Sequence, residues 1–222
     1  MKKVLVVAPH PDDETLGCGG TILRYISEGD LVFWLIATTI KDSGSTGERR
    51  KERRNLQVSK VNKAYGFDKK YELKLEATQL DTLPKSFIIN KISKVISKIE
   101  PEIIYVPYRL DAHSDHEVIY DCTIACTKSF RYPFIKRVMI YQTLSETEFG
   151  LRPEDPGFKP NSFVDISSFL KKKIEILKIY DTEINSHPFP RSVSAVKAQA
   201  TLWGSYVNCK YAEAFITLKE II

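Results

Sequence analysis

The sequence predicts an α/β protein with a Rossmann-like, mainly parallel sheet flanked by helices and a C-terminal extension around the site. Three observations lead there. Short apolar runs rich in β-branched residues alternate with longer amphipathic or charged stretches, the order that crossover connections require. The 222 residues suffice for one large α/β domain with a full core, spanning 1–222 without internal repeat, low-complexity run or linker. His, Asp and Glu concentrate just past two of the apolar runs, where open α/β sheets place their sites.

Each element has its own signal. Val4 to Val7 is a continuous apolar run and reads as a buried strand. Thr15 to Glu28 reads as a helix closed by Gly29, and Leu31 to Thr38 as a second apolar strand. A polar loop, Lys41 to Gly47, leads into a charged helix from Glu48 to Tyr65. Lys70 to Leu75 reads as a third strand, and Lys85 to Ile99 has helical periodicity before Pro101. Glu102 to Pro107 is the next strand, Glu117 to Phe130 its helix, and Arg137 to Gln142 a further strand. The proline-rich stretch Arg152 to Pro160 reads as a surface loop. Helices near Ile166 to Tyr180 and Ser192 to Trp203 are expected around the rim of the site.

Composition excludes several classes of function. Only five apolar residues separate Lys2-Lys3 from Pro9, too few for a signal peptide, and no window approaches a membrane span. A cytoplasmic protein is therefore expected. Cys18, Cys122, Cys126 and Cys209 have no CxxC spacing, and the i, i+4 pair Cys122/Cys126 fits a helix core face better than a disulfide. The net charge of +5 suits an anionic small molecule. No basic stripe with interleaved aromatics points to nucleic acid. A homo-oligomer is left open. Gly17-Cys18-Gly19-Gly20 invites a dinucleotide-binding reading, but position 22 is Ile and the second strand ends in Thr38-Thr39 without a ribose-binding acid.

The chemistry lies in two clusters. Ala8-Pro9-His10-Pro11-Asp12-Asp13-Glu14 follows the first strand. An acid-rich helix start explains the carboxylates but not a histidine held between two prolines. Tyr108-Arg109-Leu110-Asp111-Ala112-His113-Ser114-Asp115-His116 follows another strand, and histidines three apart on a helix's first turn share a face. Imidazoles and carboxylates on loops at neighbouring strand ends suit a zinc site, and iron(II) suits the same nitrogen and oxygen donors. A catalytic zinc takes three protein ligands, a nearby carboxylate removes a proton from water, and the oxyanion and departing amine need a positive partner and a proton. Chemistry alone leaves open which Asp binds the metal.

Together these motifs resemble the PIG-L/LmbE-like zinc N-deacetylases, which remove acetyl groups from N-acetylglucosamine-containing molecules. Arg54-Asn55-Leu56-Gln57 is similar to the family's Arg-x-x-Glu helix, with Gln in place of Glu. Asp165-Ile166-Ser167 with Lys173, and Tyr211-Ala212-Glu213-Ala214-Phe215, are similar to its later landmarks. The resemblance implies His10, Asp13 and His116 as zinc ligands and Asp12 as general base. It implies His113 as oxyanion stabiliser or general acid, oriented by Asp115; a cationic His113 suits that role, with Asp115 helping to hold its proton. Glu14 is expected beside the site or capping a helix. For substrate, the resemblance implies Arg54, with any Gln57 contact to it reduced to a neutral hydrogen bond; Asp111, His187 and Arg191 are further candidates, and Ser192 is expected to cap the next helix. The implied substrate is an acetylated amino sugar or its nucleotide-, lipid- or thiol-linked conjugate. The competing reading is a non-catalytic metal- and sugar-binding module on the same fold.

Overall fold

The computed structural model describes residues 1–40, 44–153 and 155–222. The strands are β1 (Lys3–Ala8), β2 (Leu31–Thr39), β3 (Lys69–Glu76), β4 (Ile103–Pro107), β5 (Arg137–Tyr141), β6 (Ser162–Asp165) and β7 (Ala212–Glu220). The helices are α1 (Asp13–Ser27), α2 (Gly44–Tyr65), α3 (Lys85–Ile99), α4 (Ser114–Ala125), α5 (Leu170–Leu177) and α6 (Val193–Tyr206). The strands form one sheet in the order β3-β2-β1-β4-β5-β7-β6. β1 to β5 pair in parallel, while β7 runs antiparallel to both β5 and β6.

The apolar run of β1 is continuous because both faces of the sheet are covered. Successive strand residues point to opposite faces. Leu5 and Val7 join one core with Leu35, Ile92 and Ile104, whereas Val4, Val6 and Ala8 join the other with Trp34, Tyr105 and Phe215. Burial on both sides puts β1 at the centre and fixes where its C-terminal turn emerges.

Several element boundaries differ from the sequence-based expectation. α4 begins at Ser114 rather than Glu117, so the second histidine cluster is the helix start itself, and it ends at Ala125 rather than Phe130. α2 begins at Gly44, so Gly44 to Gly47 of the expected loop are helical, and residues 41–43 lie outside the described residues. α5 covers only Leu170–Leu177 of the expected Ile166 to Tyr180. Sequence patterning missed β6 and β7, because β6 is a four-residue edge strand and β7 carries a buried acid, Glu213, within an otherwise apolar start. No helix among the described residues is long and apolar enough to cross a membrane. All four cysteines are free.

The glycines of α1 serve packing. A side chain on Gly17 would collide with the Tyr141 ring, and one on Gly20 with Ile166. Such close approach exposes the helix backbone to an unusual partner, the buried pair Lys173–Glu213. Lys173 Nζ donates to Leu16 C=O (2.8 Å) and to Glu213 Oε1 (2.7 Å). Glu213 accepts from the Gly20 and Thr21 N–H groups, both at 2.8 Å. The two later sequence landmarks are thereby one device, clamping α5 and β7 onto α1.

Removing one partner of such a pair leaves an uncompensated buried charge. Lys173→Met is expected to lower unfolding stability by about 3–5 kcal/mol, and Lys173→Met/Glu213→Gln to recover part of the loss. Urea unfolding of both variants checks this.

Candidate functional site

β1 and β4 are neighbours at the point where the strand order reverses, and the loops leaving their C-terminal ends meet there. The first loop is anchored by Pro9 C=O, which accepts from the Thr38 backbone N–H (3.0 Å) and hydroxyl (2.8 Å). Asp12 then adopts φ 123° and ψ −28°, a conformation that costs a non-glycine residue on the order of 1–3 kcal/mol. Three contacts hold it. Its N–H donates to Glu14 Oε2 (3.0 Å), and its C=O accepts from Thr15 and Leu16 N–H (3.0 and 2.9 Å). Glu14 is fully buried and also accepts from Thr15 and Tyr180 hydroxyls, so its role is to lock this turn. Burial pushes Glu14 up to about 7.

The turn sends the adjacent carboxylates in different directions. Asp13 Oδ2 lies 3.4 Å from His10 Nδ1 and 3.3 Å from His116 Nε2. The opposite nitrogen of each ring is held by a carboxylate: His10 Nε2 by Asp115 Oδ2 (3.0 Å), His116 Nδ1 by Asp111 Oδ2 (2.7 Å). His116 Nε2 is buried without a hydrogen-bond partner, an orphaned polar atom pointing into the same space. His10, Asp13 and His116 therefore fit a divalent metal, each imidazole oriented by an outer carboxylate as metal-bound histidines usually are. His10, His113 and Asp115 also cluster. Asp115, however, already accepts from the Thr78 and Leu80 N–H groups (2.8 and 3.4 Å).

Electrostatics agree with the first set. Burial works against charge on all three groups. Even so, hydrogen bonds to Asp115 and Asp13 raise His10 to about 9, and Asp13 and Asp111 raise His116 well above its ordinary value. Asp13 is held well below the carboxylate range by His116 and His10, against its own burial. Protons thus occupy the nitrogens that a dication would take. Asp12 differs: burial and the Asp13 charge push it up to about 8, against Arg191 and Arg54. Its Oδ2 accepts from Arg191 Nη1 (2.9 Å), and it borders the cavity next to the ligand set.

His113 corrects the expectation of a cation oriented by the Asp115 carboxylate. It is the N-cap of α4, and its Nδ1 accepts the Asp115 backbone N–H (3.1 Å). An accepting Nδ1 means a neutral ring with its proton on Nε2. Burial and the neighbouring His10 lower His113 to about 4, and the Asp115 carboxylate orients His10 instead.

A cavity of roughly 660 Å³ opens over these groups, a size suited to small-molecule ligands. Of the residues named for substrate, Arg54 and Arg191 line it. Arg54 donates to Pro11 C=O (2.9 Å) and pairs with Glu183. Asp111 does not reach substrate: it is fully buried, with one oxygen on His116 and the other accepting from Thr147 Oγ1 (2.6 Å). His187 is exposed and outside the cavity wall; of residues 186–192 only Arg191 lines the cavity, just ahead of the cap that Ser192 supplies to α6. Gln57 does not meet Arg54 but donates to Asp181 (2.6 Å). Sequence reasoning missed Glu183, which joins Arg54 to Arg191, and Glu146, a cavity-lining acid that burial pushes upward. Neither stands in a local pattern; each was separable from surface acids only by its fold position.

Comparison with known proteins supplies relatives for this geometry. Residues 5–127 match the family described as PIG-L: GlcNAc-PI de-N-acetylase. Diacetylchitobiose deacetylase from Thermococcus kodakarensis is 26% identical over 96% of this chain and 82% of its own. The structure of N,N'-diacetylchitobiose deacetylase from Pyrococcus horikoshii superposes with a TM-score of 0.78 at 21% identity, covering 98% of this chain and 84% of that one. A 4-carboxy-2-hydroxymuconate hydratase from Pseudomonas putida superposes at 0.72 with 15% identity, covering 100% and 98%. Both structural likenesses, at these identities, are to the fold alone.

His10→Ala and His116→Ala are each expected to abolish stoichiometric metal binding, and Asp111→Asn to weaken it about 10–100-fold. Metal analysis after dialysis against a graded chelator reads all three. Because the neighbouring carboxylates raise His10 to about 9 and His116 well above its ordinary value, metal uptake is expected to release protons and affinity to rise with pH through the neutral range. Titration calorimetry in buffers of different ionisation enthalpy measures that release.

Proposed function

Since the chain belongs to the PIG-L, or GlcNAc-PI de-N-acetylase, family, we propose that it is a zinc-dependent N-deacetylase acting on an acetylated amino sugar or its conjugate and releasing acetate and a free amine. The observation that carries this reading is the split of two adjacent carboxylates: Asp13 enters the His10/His116 set, while Asp12 stays outside it and faces the cavity. A site that only bound metal or sugar would have no use for the second acid, held there at the cost of a strained backbone.

His10, Asp13 and His116 would hold a zinc ion, or iron(II) on the same donors, and the bound ion would supply Lewis acidity. The ionised form of Asp12, which Arg191 favours against burial, takes the proton of the attacking water. His113 Nε2–H donates to the carbonyl oxygen as negative charge develops. Since a neutral His113 has no spare proton for the leaving nitrogen, Asp12 returns the one it took. Its raised pKa, about 8 with burial as the main cause, suits both directions of transfer. Arg54, on the cavity wall, is placed to meet sugar hydroxyls, and Arg191 holds Asp12 in position.

Acetate release from N-acetylated sugars by the zinc-loaded protein tests the assignment directly; metal retention without turnover on any of them would leave the binding module. Asp12→Asn should keep its metal and lose about 10²–10⁴-fold in kcat. His113→Ala should keep metal and lose roughly 10²–10³-fold, and His113→Gln should recover much of that, since a neutral donor suffices. A His113→Gln variant as slow as His113→Ala would restore the cationic role.

A further inference from the structure

Among the described residues, five acids line the cavity: Asp12, Asp13, Glu72, Glu146 and Glu183. Four of them are engaged. Asp13 faces His10 and His116, and Asp12 accepts from Arg191. Glu183 lies between Arg54 and Arg191, and Glu72 pairs with Lys70. The side chain of Glu146 makes no hydrogen bond or ion pair among the described residues. Its backbone, by contrast, is tied down. Its N–H donates to Thr143 C=O (3.1 Å), and its C=O accepts from Ala112 N–H (3.0 Å), beside His113. The residue is half-buried, and His116, Asp13 and Arg191 are among the charges that act on it, which puts the carboxylate at the reacting end of the cavity. It belongs to neither group able to hold a metal ion.

Amide hydrolysis changes the charge at nitrogen. The oxygen of water bonds to the carbonyl carbon and the C–N bond breaks. One proton of that water reaches the nitrogen through Asp12; the second, left on the new carboxylic acid, passes to the amine near neutral pH. The products are acetate and an ammonium. A cation therefore forms in a cavity that already holds two guanidinium groups. Arg191 is answered by Asp12 and Arg54 by Glu183, so neither acid is free to meet a new cation without giving up its own.

We propose that Glu146 is the amine-side residue of the site: its carboxylate accepts the acetamide N–H and then holds the ammonium that hydrolysis makes of it. The proposal rests on the deacetylase reading and gives the leaving group a place within it. His113 Nε2–H meets the carbonyl oxygen, and Glu146, joined to the same loop through Ala112, meets the other polar group of the amide. Any acceptor suffices for the N–H. The ammonium calls for a charge, because a hydrogen bond between ions is roughly twice as strong as a neutral one. Glu146 gains and loses no proton in this balance.

The test compares zinc-loaded wild type, Glu146→Gln and Glu146→Ala on N-acetylglucosamine, with glucosamine and glucose as inhibitors. Glucosamine carries the ammonium; glucose is the same ring with a hydroxyl in its place. Glucosamine is expected to inhibit the wild type about tenfold or more better than glucose. Glu146→Gln should weaken glucosamine about tenfold and glucose by less than about twofold. In turnover, Glu146→Gln should hold KM within about threefold and lose about tenfold in kcat, since an amide still accepts the N–H but brings no charge to the departing amine. Glu146→Ala should lose in both. Glucosamine no better than glucose on the wild type, or an equal loss of both inhibitors in Glu146→Gln, overturns the amine site and leaves deacetylation standing. Weaker zinc binding in Glu146→Gln with glucosamine inhibition intact overturns it too, as the mark of an acid that only balances the metal's charge. No acetate from any N-acetylated sugar overturns deacetylation instead. Titration of glucosamine and glucose into zinc-loaded Asp12→Asn, with and without Glu146→Gln, then decides the amine site by binding alone: a selective loss of glucosamine supports it, and no selective loss sinks it.

Discussion

The site depends on one constrained residue. Asp12 sits at φ 123°, where side-chain-bearing residues rarely go, and that turn of the backbone is what parts the carboxylates of Asp12 and Asp13. In an ordinary helix start the two would splay over a solvated first turn, both complementing the dipole. Here one faces His10 and His116 while the other faces Arg191. The strain persists because the surroundings over-determine it: a buried Glu14 takes the Asp12 N–H, and α1 takes its C=O. Glu14 is in turn gripped by Thr15, itself bonded to Tyr65, and by Tyr180 beyond the last parallel strand.

That chain of contacts explains why the C-terminal third matters to a site built on the first parallel strands. Tyr180 completes the Glu14 cradle, Glu183 and Arg191 reach the cavity, and Lys173 and Glu213 clamp α1 from behind. α1 is gripped at its N-terminus by the Asp12 turn and mid-length by a buried ion pair. The close approach that both require is possible only because Gly17 and Gly20 present no side chain to Tyr141 and Ile166. Glycines that mimic a nucleotide-binding loop in sequence are packing devices here.

Much of this was legible in the sequence, for a physical reason. A parallel sheet buries both faces, so β1, β2 and β4 are uninterrupted apolar runs, and the acids and histidines after β1 and β4 have nowhere to be but at the sheet's C-terminal edge. What stayed hidden depends on pairing rather than pattern. β7 begins with a buried glutamate whose sense appears only when Lys173 is beside it. Asp111 looks like a substrate-facing acid and Asp115 like the partner of His113 until the first is found behind His116 and the second behind His10. Glu183 is one acid among many until Arg54 and Arg191 converge on it. The tautomer of His113 follows from a helix cap that sequence placed three residues too late.

The hydratase with the same fold shows why the chemistry has to be argued from those pairings. A sheet of this topology offers a switch point and two loops, and nothing in it dictates amide hydrolysis. What narrows the reaction is the distribution of protons. His10 and His116 turn one nitrogen each toward Asp13 and the other toward a carboxylate, an arrangement that fits metal donors better than acid–base catalysts. His113, neutral and capped, offers a hydrogen bond but no proton to spare. Asp12 combines access to the cavity, a raised pKa and a hydrogen bond from Arg191 with a place next to the His10, Asp13 and His116 set, which is why the proposed reaction runs its proton traffic through that carboxylate.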